Sequence, residues 1–245
     1  MSLEEYIRVF LRGTAMIEIT NVDVYGFDHA IRGVRNNRNT WEKSDTRFNI
    51  TDIAGDTHGV TIGPNDLELM KKLAIAGGPH AKYMRYIMVY CDINAPMYWW
   101  KEFDTYKVGT VRNSCSTMNT VMSKPFELSD FAWDHMDIED AVEELKRVIE
   151  TLNKLRDDYL EWTDKAKNAN HEDEKDFAEI QKKHVWYSLI QLLPSSYMQK
   201  ATILMNYQNL RHMYKDRKNH KLQEWRLFCD WAESLPYSDL IAYKN

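Results

Sequence analysis

The spacing of apolar positions changes several times along the chain, and each change marks an element. Ile17, Ile19, Val22 and Val24 alternate as a strand does, with the alternation slipping by one at Thr20 and Asn21. Phe27 to Asn37 reads as a short helix with Asp28 near its start, and the polar, glycine-containing stretch 38–64 reads as a long surface loop. Asn65 is placed to cap a helix over Asp66–Ala76, where Leu67, Met70, Leu73 and Ala74 share a face, and Gly77 and Gly78 end it. Tyr86 to Ile93 is rich in β-formers with apolar residues on both faces, which predicts an interior strand.

Pro96 suits the first turn of a helix beginning NAPMYWWKEF. Beyond Pro125, Ile138, Val142, Leu145, Ile149, Leu152, Leu155 and Tyr159 recur at three and four, predicting a long amphipathic helix. KNANHEDEKD at 167–176 reads as a solvated connector, and a further helix stops at Pro194. Tyr197–Arg217 and Leu222–Leu235 read as two helices joined near Lys218, Asn219 and His220. The result is an α+β chain with few strands, mainly helical toward its C-terminus.

Composition narrows the classes. With 44% hydrophobic residues and 12% aromatics, the 245 residues can bury a substantial core. A net charge of −5 argues against a general nucleic-acid binder, so any anion site must be local. Cys91, Cys115 and Cys229 are an odd number without metal-type spacing, which suits a reducing, cytoplasmic setting. No apolar run is long enough to span a membrane, and no signal-peptide pattern opens the chain. Residues 1–15 are expected to be an extension ahead of the fold, with MSL a candidate vector remnant.

Several constellations bear on chemistry. The stretch after the aromatic helix, through Lys107, Thr110, Arg112, Ser114, Cys115, Ser116 and Thr117, is hydroxyl-rich with a few cations and suits a polar or anionic ligand. Arg211, Lys215, Arg217, Lys218, Lys221 and Arg226 crowd one helix–turn–helix corner. They make either a solvated face or a phosphate site, since guanidinium groups bind such anions bidentately. Cys115 has no base nearby in sequence and reads more readily as buried packing than as a nucleophile. The eight histidines form no metal pattern, so no metal site is expected. Trp99 and Trp100 read as core or interface surface. The chain has no G-x-G-x-x-G and no phosphate-loop signature.

Several pieces together resemble the flavin-dependent thymidylate synthases. LELMKKLAIAGGPHAKYMRYIMVYCDINAP (67–96) resembles the segment leading into that family's signature helix. PMYWWKEFDTYKVGT then sits where the family carries R-H-R-x-x-S-x-N-x-x-S-x-R-Y, and LLPSSYMQKATILMNYQNLRHMYKDRKNHKLQEW resembles its L-P…N-x-R…R…A-Q-W-E segment. With the N-terminal strand and helix (16–37), the resemblance covers most of the chain. The signature itself is degenerate. Without gaps, Thr105, Tyr106 and Lys107 stand for Arg-His-Arg, Thr110 for Ser, Arg112 for Asn, Cys115 for the later Ser, Thr117 for Arg and Met118 for Tyr. A one-residue slip puts Asn113 on Asn and Ser116 on Ser instead. Ile190 stands where the family has another substrate-binding arginine. Arg217 is the nucleotide arginine clearly retained.

The resemblance implies a single domain over 16–245, with a small, mostly antiparallel sheet packed with helices and long C-terminal helices. It implies reductive methylation of dUMP to dTMP with FAD, NADPH and methylenetetrahydrofolate, in a homotetramer with shared active sites. Arg217 would be catalytic and would bind the nucleotide. His80, Tyr106, Lys107, Asn206, Gln208 and His212 would line the flavin or folate side. Glu102, Arg112, Ser114, Cys115, Ser116 and Thr117 would meet the nucleotide. The departures from the motif equally admit a flavoenzyme for another pyrimidine nucleotide, or a non-catalytic homologue that keeps only the fold.

Overall fold

The computed structural model describes residues 17–36, 38–50, 58–136 and 139–242. The expected extension over 1–15 and Ile138 of the predicted amphipathic helix lie outside them. The described chain contains β1 (Glu18–Tyr25), α1 (Phe27–Asn36), β2 (Arg47–Ile50), β3 (His58–Thr61), α2 (Pro64–Ala76), β4 (Met88–Pro96), α3 (Met97–Phe103), β5 (Val111–Ser114) and α4 (Thr117–Thr120). It continues with α5 (Glu139–Asn168), α6 (Glu172–Leu192), β6 (Met198–Asn206), α7 (Tyr207–Arg217) and α8 (Gln223–Glu233). A small antiparallel sheet with many helices makes the fold α+β, as the sequence implied. The chain divides into two compact units, one built on 94–100 and 114–200, the other on 17–93, 101–113 and 201–245.

The larger unit carries most of the sheet, ordered β1-β4-β6-β5. The amide of Tyr207 donates to Ile87 O beyond one end of β4, and that of Met97 donates to Tyr197 O beyond the other, so β4 and β6 run antiparallel. Ile87, Val89, Cys91 and Ile93 are buried to 1% exposure or less, whereas Tyr90 on the opposite face is 42% exposed. The run is interior in the sheet, as expected, but it buries one face and not both. The slip at Asn21 is real. Its φ is 52°, and its side-chain Nδ2 donates to Asp92 Oδ2 at 2.8 Å, a local irregularity within the strand.

Four expectations are corrected. Part of the supposed loop 38–64 forms the antiparallel pair β2–β3, with Arg47 opposite Thr61, because such short strands leave little periodicity to read. Helix α2 begins at Pro64 after Gly63, and its first amides are capped from a distance. Asp45 accepts from Asn65 N at 2.9 Å and Asp66 N at 3.0 Å, so Asn65 is not the cap. The charged run 167–176 is mostly helix, since Glu172, Asp173 and Glu174 complement the N-terminal dipole of α6. Residues 198–206 are a strand whose Ala201, Ile203 and Met205 alternate inward, where a continuous helix was expected.

Around the buried carboxylate of Asp66 the loop and α2 are locked together. Arg35 Nη2 lies 2.5 Å from its Oδ1, while Ser44 and Thr46 hydroxyls donate to Oδ2 at 2.6 Å. Burial raises the Asp66 pKa, but the Ser44, Thr46 and Arg35 contacts outweigh it and hold it below its ordinary 3.8. Gly26 (φ 95°) makes a second tie, since a Cβ there would lie 2.0 Å from Tyr86 O.

The smaller unit is dominated by the α5–α6 hairpin. Leu145, Ile149, Leu152 and Leu189 pack with Val121, Phe126 and Phe131. Trp99 and Trp100 are buried here, at 0% and 2% exposure, and meet edge to face at 5.0 Å, which selects the core reading of that pair. Asn153 holds the backbone of Phe126 through both its N–H and its carbonyl. No helix among the described residues is long and apolar enough to cross a membrane.

Asp66→Ala strands the Arg35 guanidinium in the interior and is expected to cost about 3–5 kcal/mol in urea denaturation, with less than additive loss in Arg35→Met/Asp66→Leu. Because the folded pKa of Asp66 is depressed, its contribution is complete above about pH 4 and is lost as pH falls through its folded value. Acid titration of stability should therefore be shallower in Asp66→Asn than in the wild type.

Candidate functional site

Two turns in the larger unit assemble the site. The first follows α3, where Thr110 Oγ1 donates to Tyr106 O and closes residues 106–110 on themselves. Gly109 (φ 81°) lets this turn approach the start of α7, since a Cβ there would lie 3.0 Å from Asn206 Nδ2 and Asn209 Oδ1. Asn209 Nδ2 donates to Val108 O at 2.6 Å, fixing the turn to the helix. The second turn, 218–222, links α7 to α8. Arg226 holds it by donating to His220 O at 2.8 Å and Lys221 O at 3.2 Å.

Between these turns lies Arg217, at the end of α7. Its Nη1 donates to Glu102 Oε2 at 2.6 Å, and its Nε donates to Tyr106 Oη at 2.8 Å. Its guanidinium carbon sits 4.8 Å from the ring centre of Trp225 and 5.5 Å from that of Tyr106, so two aromatic rings flank the cation. Trp225, itself fully buried, donates through Nε1 to the same Glu102 oxygen at 2.9 Å. His220 Nε2 stands 3.4 Å from Glu102 Oε2 and 3.0 Å from Arg217 Nη1, while its Nδ1 accepts from Leu222 N at 3.2 Å. That acceptor role at Nδ1 puts the proton of a neutral ring on Nε2, toward Glu102.

Burial raises the Tyr106 pKa. The hydrogen bond from Arg217 lowers it, and Asp216, which takes the phenol proton in a hydrogen bond, raises it again. Tyr106 therefore stays a neutral phenol, donating to one carboxylate and accepting from the guanidinium. Phe103 and Phe228 back the cluster against Trp225.

Of the residues singled out from sequence, Glu102, Tyr106 and Arg217 meet here. Arg112 does not join them. It forms a two-pronged bond from Nη1 to Asp104, at 2.9 and 2.7 Å, so its charge is compensated locally. Lys107 is exposed at the tip of the turn. Asn206 is a helix cap, its Oδ1 accepting from Asn209 N at 3.0 Å while its own amide donates to Asn209 Oδ1. Gln208 Oε1 accepts from Arg85 Nε at 2.5 Å. His212, one turn on from Gln208, is exposed, as is His80 on the 3-10 segment Gly78–Tyr86 that packs on α7.

Ser114, Cys115, Ser116 and Thr117 belong to the smaller unit. There Gln199 Nε2 donates to Cys115 O at 2.9 Å and Thr117 Oγ1 at 3.1 Å. A cleft of about 230 Å³ is lined by Cys115, Thr117, Lys124, Asp130, Tyr197 and Lys200, among others. Cys115 is exposed, which corrects its reading as buried packing, whereas burial pushes the thiols of Cys91 and Cys229 up to about 12. The described residues hold no group of three or more metal-type ligands.

The basic corner also sorts itself. Arg211 is buried and donates to Leu240 O at 2.7 Å and Ala74 O at 2.9 Å, tying α2 to the C-terminal segment. Lys218 lies 5.2 Å from the Tyr214 ring centre. Arg211 thus serves backbone carbonyls in the interior, and Arg226, though exposed, serves those of the turn. Sequence reading did not assign Trp225, His220 or Asp216 to the site. Trp225 and His220 lie within the quoted segment after Arg217, and only their distances to Glu102 reveal a role.

No family model matches the chain, and no curated protein matches it. Solved structures do. A crystal structure of flavin-dependent thymidylate synthase ThyX from Helicobacter pylori, complexed with FAD and dUMP, aligns over 91% of this chain and 96% of its own, with TM-score 0.58 and 16% identity. A second structure of the same enzyme with FAD and dUMP gives TM-score 0.58 and 16% identity over 91% of this chain and 95% of its own. The likeness is one of fold.

A double-mutant cycle on Glu102→Gln and Arg217→Lys tests whether the cluster acts as a unit. We expect a coupling of about 0.5–3 kcal/mol in thermal or urea unfolding, and a smaller coupling for Asp104 with Arg112, whose carboxylate is the more exposed.

Proposed function

We propose that the chain is a flavin-dependent enzyme of the thymidylate synthase type, converting dUMP to dTMP with methylenetetrahydrofolate as one-carbon donor and NADPH as reductant. The observation that carries the reading is the meeting of Arg217, Tyr106 and Glu102, drawn from segments more than a hundred residues apart, on a fold like that of an enzyme crystallised with FAD and dUMP.

In this reading Arg217 stabilises negative charge on the pyrimidine, and Glu102 orients Arg217. Arg112, Ser114, Cys115, Ser116 and Thr117 are proposed as nucleotide contacts, with Cys115 a lining residue and not a nucleophile. His80, Tyr106, Lys107, Asn206, Gln208 and His212 form the flavin or folate side. Exposed His80 and His212, with half-buried Gln208, are carried on two elements that pack together and offer donors and acceptors of the kind a flavin ring system needs. When bound, the flavin supplies hydride transfer; the protein binds, orients and excludes water. The chain is read as one functional domain over 16–245, acting in the cytoplasm.

We place the enzyme in a homotetramer whose subunits share sites. The exposed outer face of the sheet supports an assembly, with Tyr25 and Tyr90 meeting edge to face at 6.2 Å while staying 55% and 42% exposed. A second reading, a related flavoenzyme for another pyrimidine nucleotide or a non-catalytic homologue, is favoured by the internal pairing of Arg112 with Asp104 and of Arg217 with Glu102.

The purified protein should be yellow with bound flavin, sediment as a tetramer, and oxidise NADPH faster with dUMP than with dCMP or no nucleotide. Arg217→Ala should lower the nucleotide-stimulated rate by about 10²-fold or more. A colourless protein with no nucleotide-stimulated oxidation overturns the enzymatic reading.

A further inference from the structure

We infer that Glu102 sets the charge selectivity of the Arg217 cluster, making it a receptor for an uncharged hydrogen-bonding edge and closing it to phosphate. Glu102 Oε2 gathers three groups, Arg217 Nη1 at 2.6 Å, Trp225 Nε1 at 2.9 Å and His220 Nε2 at 3.4 Å. The guanidinium is therefore met by a full negative charge before any ligand arrives. A phosphate approaching Arg217 meets that carboxylate as well, and like charges at such separations repel strongly in a partly desolvated site. Asp216, hydrogen-bonded to Tyr106, adds a further negative charge beside the cluster.

What the pair still offers is a donor beside an acceptor. Nε and Nη1 of Arg217 are engaged, and no partner among the described residues takes Nη2. Glu102 Oε1 likewise has no partner among them. The two side chains are 18% and 34% exposed, so both remain reachable. Such a pair suits a ring edge that presents a carbonyl oxygen to Arg217 and an N–H to Glu102. That this edge is the base of a nucleotide rests on the function proposed above, and its phosphate must then be held elsewhere. The charge filter itself does not rest on that function.

The indole N–H of Trp225, donated to Glu102, is the reporter. Its nitrogen–proton NMR resonance is assigned with Trp225→Phe, and the protein is titrated with inorganic phosphate and with 2′-deoxyuridine. In the wild type, phosphate leaves the resonance unmoved and the uncharged nucleoside shifts it saturably. In Glu102→Gln, which keeps an acceptor for Trp225, phosphate binds on the order of tenfold tighter or better and shifts the resonance. Arg217→Gln in that background abolishes the shift. Glu102→Ala is read the same way if the glutamine variant does not fold. A phosphate shift in the wild type equal to that in the variant overturns the inference, as does no phosphate shift in either Glu102 variant. None of these arms needs flavin or turnover, so failure of the NADPH assay and failure of the charge filter are separate results. Failure of deoxyuridine alone removes the nucleotide assignment and leaves the filter standing.

Discussion

The arrangement at the end of α7 depends on one ion pair, Arg217 with Glu102, held against the indole of Trp225. Each partner comes from a different helix, and the pair is what draws α3, the turn after it, α7 and α8 to a single point. A guanidinium suits this place because its planar fork can bond an oxygen at Nη1 and another at Nε while its face lies on an aromatic ring. Lysine has no equivalent geometry. Around the pair, Tyr106 links the guanidinium to Asp216, and His220 closes the remaining side. The site is thus a compensated network and not an open cationic patch.

The same habit recurs wherever the larger unit buries an arginine. Arg35 is matched by Asp66 with help from two hydroxyls, and Arg211 is bonded to backbone carbonyls of Ala74 and Leu240. On β5, half-buried Arg112 is gripped by Asp104, which lies just beyond α3. Buried charge is costly unless paired, and pairing fixes the partners' relative positions. Cations that look available for a ligand when counted along the sequence are largely assigned already in the fold. This is why the basic corner 211–226 does not make a phosphate site by number alone.

Fold and function part company here in an instructive way. A TM-score of 0.58 over nine-tenths of both chains, at 16% identity, says that the path of the backbone is shared. It says little about side chains, and the side chains are where this chain differs most from the motif that it resembles. The chemistry must be argued from the cluster itself, whose charge balance differs from that of an arginine-rich anion site.

Periodicity by itself determined the elements with one strongly buried face: α1, α2, α8, the α5–α6 hairpin and the strand β4, together with the slip at Asn21. It pointed to Arg217, Tyr106 and Glu102 only through the resemblance of short segments. It missed β6, because Ala201, Ile203 and Met205 alternate over too short a run to outweigh the helical residues that follow. It also missed the remote cap of α2 by Asp45. Tertiary structure alone decided which charges meet. Sequence spacing fixes neighbours within a helix turn or a strand, but Glu102 and Trp225 stand more than a hundred residues apart and touch only once the chain has folded. Charge pairing across such distances is a property of three-dimensional proximity, and no local pattern encodes it.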